Sequence, residues 1–167
     1  MKNALIVYGG WDGHAPKETA HIFAKWLKED GFKVRMEDSL ACLEDAEALS
    51  KLNLFVPIWT MGEISEDQSR NACDAVASGV GLAGCHGGMC DAFRKDVNWQ
   101  FMTGGNWVSH PGNDGTPYRV NIRNSSSPIV DGIEDFDVSS EQYYLHVDPA
   151  VEVLATTRFP VADGPHS

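Results

Sequence analysis

Leu82-Ala83-Gly84-Cys85-His86-Gly87-Gly88 is a short apolar run that ends in a cysteine and a histidine set among small residues. An apolar run followed by small-x-nucleophile-x-small is how an α/β sheet presents one reactive side chain on a tight strand-to-helix turn, the geometry of a nucleophile elbow. Two registers are open. Ala83-Gly84-Cys85-His86-Gly87 puts Cys85 at the apex, whereas Gly84-Cys85-His86-Gly87-Gly88 puts His86 there, and the two carry different chemistry.

Working outward, Val80 to Gly84 reads as a buried strand that delivers the chain to this turn. Ala4-Leu5-Ile6-Val7-Tyr8 is another uninterrupted apolar run, as expected of a strand covered on both faces of a parallel sheet, and Gly9-Gly10 ends it. Pro16 suits the first turn of a helix; Ile22, Phe23, Trp26 and Leu27 form its apolar stripe, with Trp26 expected in the core, and Gly31 stops it. Phe32 to Met36 is the second strand. Leu54 to Trp59 is the third, placed at an edge or near a strand end by Pro57, which lacks a ladder donor. Ser65-Glu66-Asp67-Gln68 is a capping-box pattern, followed by the stripe Ala72, Cys73, Val76, Ala77 up to Gly79. Strands alternating with helices predict an open α/β sheet, mostly parallel and right-handed, with helices on both faces. Sites in such sheets gather beyond the carboxyl ends of the strands. The loops of interest are therefore Gly9 to Ala15, Trp59 to Ile64, and the elbow.

From Asp96 to Ser127 the sequence is irregular and rich in Gly, Asn, Ser and Trp, a composition of long functional loops. Tyr118 to Ile122 alternates as a half-solvated strand, and Asp137 to Val147 and Val151 to Thr157 are further strand candidates. The segment from Phe159 to Ser167, which carries His166, reads as a loop leading into something further.

A chain of 167 residues suits one domain, taken here as 1–167 and expected to lack a C-terminal strand and helix. The net charge is −11 with no Lys/Arg cluster, which disfavours nucleic-acid and anionic membrane partners by repulsion. No apolar run approaches the ~20 residues of a membrane span, and no signal peptide is recognised, so a cytoplasmic location is expected. Cys42, Cys73, Cys85 and Cys90 show no CxxC spacing and read as reduced thiols.

The stretch Leu5-Ile6-Val7-Tyr8-Gly9-Gly10 with His14, the elbow from Gly81 to Gly88, and the loop Gly104-Gly105-x-Trp107-x-x-His110-Pro111 form one ordered set. Ser127-Pro128-Ile129-Val130-Asp131-Gly132-Ile133 and Glu141-Gln142-Tyr143-Tyr144 complete it. Together they resemble the trehalose-utilisation, or ThuA-like, family over nearly the whole chain. The resemblance implies a three-layer, flavodoxin-like open sheet of the class I glutamine amidotransferase-like superfamily. It also implies a role in bacterial sugar catabolism beside oxidoreductases that make 3-keto derivatives of disaccharides. The partners it implies are a small-molecule sugar or keto-sugar and a functional link to a sugar oxidoreductase, with a homo-oligomer also open.

Within this frame His86 is the first candidate, because a histidine on an elbow can act as general base, general acid or metal ligand near neutral pH. Cys85 competes: a thiol at a helix N-terminus can be activated as a nucleophile, and Ala83-Gly84-Cys85-His86-Gly87 resembles the elbow of PfpI-type cysteine amidases. Glu141 is the preferred carboxylate, able to complete an acid/base pair, with Tyr143 on the same predicted face as a substrate contact. His14 and His110 shape the pocket and could join His86 around a divalent metal such as zinc, although no cofactor is firmly implied. Trp11, Trp59 and Trp107 offer apolar platforms for a sugar ring, and Asn106 a hydroxyl partner. Each has a structural alternative: a histidine that caps a helix, an exposed strand glutamate, a tryptophan that is simply core. The function expected is acid/base isomerase, lyase or hydrolase chemistry on a sugar. A Cys85-dependent amidase and a non-catalytic sugar-binding module are the alternatives.

Overall fold

The computed structural model describes residues 1–123 and 126–159, and these fall into two compact units, Met1–Trp107 and the chain from Val108 onward. The stretch 160–167, with His166, lies outside the described residues. The first unit runs β1 (Lys2–Gly10), α1 (Pro16–Glu29), β2 (Phe32–Glu37), α2 (Ala46–Ser50), β3 (Leu54–Thr60), α3 (Glu66–Ala77) and β4 (Gly81–Leu82). It continues through α4 (Gly87–Cys90), α5 (Val97–Thr103) and β5 (Gly105–Ser109), the last carrying the chain across the boundary. Strands β1 to β4 form a parallel sheet in the order β2-β1-β3-β4.

The run Leu5-Ile6-Val7 explains why this sheet needs cover on both faces. Leu5 and Val7 pack into one cluster with Phe55, Ala72, Ala75 and Trp99, whereas Ile6 packs into another with Ala20, Ala24, Val56 and Ile58. All three are at most 1% exposed, and burying them is worth about 5 to 8 kcal/mol together. The fold is thus mixed α/β around a parallel four-stranded sheet, as the alternation of elements predicts.

Several details differ from the sequence reading. β1 does not end at Gly9-Gly10 but runs through both, which pair with Trp59 and Thr60 of β3; the Trp59 ring lies where a Gly9 side chain would be and the Thr60 carbonyl crowds Gly10, so both positions suit glycine. Pro57 sits mid-strand in β3, between two neighbours. β4 pairs only with Leu54 and Phe55, so the ladder on that side has already ended when the chain reaches Pro57, and the missing N–H interrupts nothing there. Trp26 is 55% exposed rather than core. The small residues Ala20 and Ala24 face the sheet and bring α1 close, which leaves Trp26 outside, edge-on to Phe23 at 5.5 Å. In α3 the capping box forms between Ser65 and Gln68, but the buried face is Ser69, Ala72 and Ala75, with Cys73 half-buried.

The stretch read as irregular after Asp96 contains α5 and β5. Asp96 caps the helix, accepting from the Trp99 N–H and from Ser69 Oγ, both at 2.7 Å. Gly104, at φ 74, closes its C-terminus in the left-handed conformation. Trp99 is buried and donates its indole N–H to the Met89 carbonyl at 2.9 Å, which ties α5 to α4.

The second unit is built around β6 (Thr116–Ile122), with β7 (Phe136–Ser140), β8 (Tyr144–Val147) and β9 (Ala155–Thr157). β6 pairs antiparallel with β7 on one side and β9 on the other. The single strand expected from 137 to 147 is broken at 141–143. Gln142 turns inward there, 1% exposed, and donates Nε2 to Thr157 Oγ1 at 2.9 Å and to the Arg158 carbonyl at 3.2 Å. Among the described residues no helix is long and apolar enough to cross a membrane.

Candidate functional site

The backbone decides between the two elbow registers. The Ala83 N–H makes a last bond to the Phe55 carbonyl at 3.1 Å, and α4 begins at Gly87. Between them His86 adopts φ 51, ψ −137, a conformation that an L-residue holds only at a cost of about 1–3 kcal/mol. Bonds from the Gly88 N–H to the Cys85 carbonyl and from the Met89 N–H to the His86 carbonyl, at 3.1 and 3.3 Å, close the turn. The residue at the apex is His86.

The flanking glycines explain why this turn can be so tight. A Cβ on Gly84 would stand 2.6 Å from Met89 Sδ and 3.1 Å from the Pro57 carbonyl. One on Gly88 would stand 2.7 Å from the same carbonyl and 2.9 Å from Ile58 Cα, and one on Gly87 would collide with the Thr60 hydroxyl. The pattern small-x-nucleophile-x-small is therefore satisfied by Gly84 and Gly88 about His86. Cys85 is exposed beside the apex, and its thiol is pushed up in pKa by desolvation against the turn. That is the opposite of the activation a nucleophilic thiol needs.

His14 closes the short 3-10 turn after β1. The Trp11 N–H holds that turn to the Thr60 carbonyl at 2.9 Å, and His14 Nδ1 lies 2.8 Å from Thr60 Oγ1. The imidazoles of His14 and His86 meet edge to face with centroids 4.5 Å apart, and the half-exposed Trp11 ring lies 4.7 Å from His14 on another side. The sequence reading does not single out Thr60. Its signal is positional: it is a hydroxyl at the carboxyl end of a central strand, 4% exposed, between the two loops that carry the histidines.

The tryptophans expected on loops are placed differently. Trp11 does lie on a loop, but Trp59 lies within β3 and packs over Gly9, and Trp107 lies within β5. The Arg94 guanidinium stands 3.9 Å over the Trp107 ring while also pairing with the buried carboxylate of Asp91. Asn106 Oδ1 is buried and has no hydrogen-bond partner among the described residues.

In the second unit three further candidates converge. His110 Nε2 lies 3.9 Å from Glu141 Oε1, both side chains being mostly buried, and the His110 and Tyr143 rings stack at 6.0 Å. The inward turn of Gln142 presents Glu141 and Tyr143 on either side of itself, and the Tyr118 hydroxyl donates to the Glu141 carbonyl at 3.2 Å. His146 is exposed and stands apart, edge-on to Tyr144. Each unit can thus hold and pass a proton: an imidazole pair in the first, an imidazole–carboxylate pair in the second.

No curated protein sequence matches the chain. Its fold is similar to the crystal structure of a ThuA-like protein from Bacteroides uniformis ATCC 8492, with a TM-score of 0.72 at 20% identity. The match covers 92% of this chain and 66% of that one, so the chain spans just under two thirds of that neighbour. The family model for ThuA, described as trehalose utilisation, matches residues 3–167, and the chain belongs to that family, which associates it with carbohydrate metabolism.

Proposed function

We propose that this chain acts on a sugar or keto-sugar by acid/base chemistry, either proton abstraction next to a carbonyl, giving isomerisation or elimination, or activation of a water for hydrolysis. His86 is the principal acid/base group in this reading, and Glu141 is assigned the complementary proton. The observation that carries it is the strained backbone of His86 at the apex of the turn, beside the imidazole of His14. Strain of that size persists where the surrounding structure enforces it and clusters at working sites. Trp11, Trp59, Trp107, Asn106, His110 and Tyr143 are assigned to the substrate. The three-layer, flavodoxin-like arrangement and a cytoplasmic location belong to the same reading.

Zinc or another divalent ion fits this reading as a cofactor, since His14 and His86 offer two imidazole nitrogens in one unit. His110 is paired with Glu141 in the other unit. Oligomerisation and a partnership with a sugar oxidoreductase are further parts of the proposal. A His86→Ala variant assayed on 3-keto-glycosides by carbonyl loss and product chromatography is expected to lose turnover by about 100-fold or more, the size of a general acid/base contribution. Unchanged turnover sinks the reading. Loss of turnover on alkylating Cys85 in place of loss in His86→Ala would move the chemistry to the thiol.

A further inference from the structure

A cavity of about 350 Å³ opens between the loop 61–64, which follows β3, and the segment 93–96, which follows α4. We propose that it is a subsite for a neutral sugar ring, the second ring of a glycoside whose first ring lies at the elbow. The inference rests on the carbohydrate reading above and adds to it a place for the other half of the substrate.

Position is the first argument. The loop 61–64 begins directly after Thr60, which holds His14, and the Met61 N–H is bonded to the Asp91 carbonyl at 2.9 Å, so both walls of the cavity are tied to the elbow region. Gly62 bears no side chain where one would stand 2.8 Å from the indole nitrogen of Trp59. The volume is within the range of small-molecule sites, from about 300 Å³ upward.

Charge is the second. Four ionisable side chains line the cavity, and every one has a partner: Lys95 stands 3.7 Å from Glu63, Arg94 pairs with Asp91, and Asp96 accepts from Ser69 and Trp99. No cation is left unpaired to hold a phosphate or carboxylate, and the Asp96 carboxylate, whose partners are neutral, repels one, which excludes an anionic occupant. Paired ions still offer donors and acceptors to hydroxyl groups around their rims. Ile64, backed by the edge of the otherwise buried Phe93, supplies the apolar wall that the carbon face of a sugar ring packs against. Donors, acceptors and an apolar wall without a spare cation describe a neutral polyol.

The test uses the intact chain, titrated calorimetrically with glucose and with trehalose, and followed by amide shifts. Trehalose is expected to bind about tenfold tighter than glucose, the worth of one or two extra hydrogen bonds, and to shift residues 61–64 and 93–96 where glucose does not. Ile64→Trp, which fills the cavity, is expected to erase that margin while leaving glucose affinity alone. Should that variant not fold, the double variant Glu63→Ala/Lys95→Ala, changed only at exposed side chains, is expected to lose most of it. Trehalose binding no tighter than glucose, shifts that avoid both segments, or folded variants that keep the margin would each overturn the subsite alone. Failure of the wild-type chain to bind either sugar would overturn the carbohydrate reading with it.

Discussion

Replacing His86 by alanine and by glycine should reverse the usual order of stability of those two residues. At an unstrained loop position alanine is the more stable by about 0.4–1 kcal/mol, because glycine gains more freedom on unfolding. His86 is not at such a position. With φ 51 and ψ −137, any residue bearing a Cβ carries about 1–3 kcal/mol of backbone strain that glycine does not. Both variants lose the edge-to-face contact with His14, so that loss cancels in the comparison. The difference that remains is strain relief minus chain entropy, which favours His86→Gly over His86→Ala by about 1 kcal/mol. For a chain of 167 residues this corresponds to about 2–4 °C in the thermal midpoint. Urea unfolding followed by circular dichroism measures it directly, since equal slopes make the shift in midpoint a shift in stability. An alanine variant as stable as the glycine variant, or more so, would show that residue 86 is unstrained and would remove the main support for its place at the apex.

Other outcomes are equally specific. Gly88→Ala should destabilise the fold by about 2 kcal/mol or more in urea titration, because its Cβ meets the Pro57 carbonyl and Ile58 Cα, backbone that cannot swing away. Thr60→Val should cost about 1–2 kcal/mol and alter the ring-nitrogen shifts of His14 in nitrogen-15 spectra, while Thr60→Ser restores them. A purely structural role for the threonine would leave those shifts unmoved. Burial raises the Cys42 thiol from its ordinary 9.0 to about 11, so the neutral thiol contributes stability below pH 9 that is lost as pH rises through about 11. Cys42→Ala should flatten that alkaline decline in chemical denaturation. Iodoacetamide should alkylate Cys85 more slowly at pH 7 than it does free cysteine, and faster as pH rises, because desolvation raises this thiol too.

Much of the first unit could be read from residue types because local and global signals agree there. Leu5-Ile6-Val7 must be covered on both faces, Pro16 starts a helix, and Ser65 with Gln68 forms the capping box that its spacing predicts. The elbow itself is visible, but its register is not: Ala83/Gly87 and Gly84/Gly88 are both pairs of small residues, and the positive φ of His86, together with the proximity of the Pro57 carbonyl and Met89 to Gly84 and Gly88, selects the second. That proximity is a tertiary fact. Trp26 misleads for a related reason, since periodicity marks a stripe without saying which edge of it the alanines bring against the sheet. α5 was hidden because its stability comes from one capping carboxylate and one buried tryptophan rather than from a repeating stripe. In the second unit, the pairing of His110 with Glu141 depends on Gln142 turning inward, which strand alternation conceals.

The contacts that shape the elbow have a consequence for how its chemistry could change. Gly84, Gly87 and Gly88 are hemmed in by Pro57, Ile58, Thr60 and Met89, and these contacts fall on the glycines, while the imidazole they surround meets the His14 ring. The turn is in that sense a socket, with residue 86 the part plugged into it. A different reactive side chain at that one position would inherit the same presentation with little rebuilding around it. The scaffold fixes where residue 86 is presented, and on the proposed reading a single codon is left to choose the chemistry offered there.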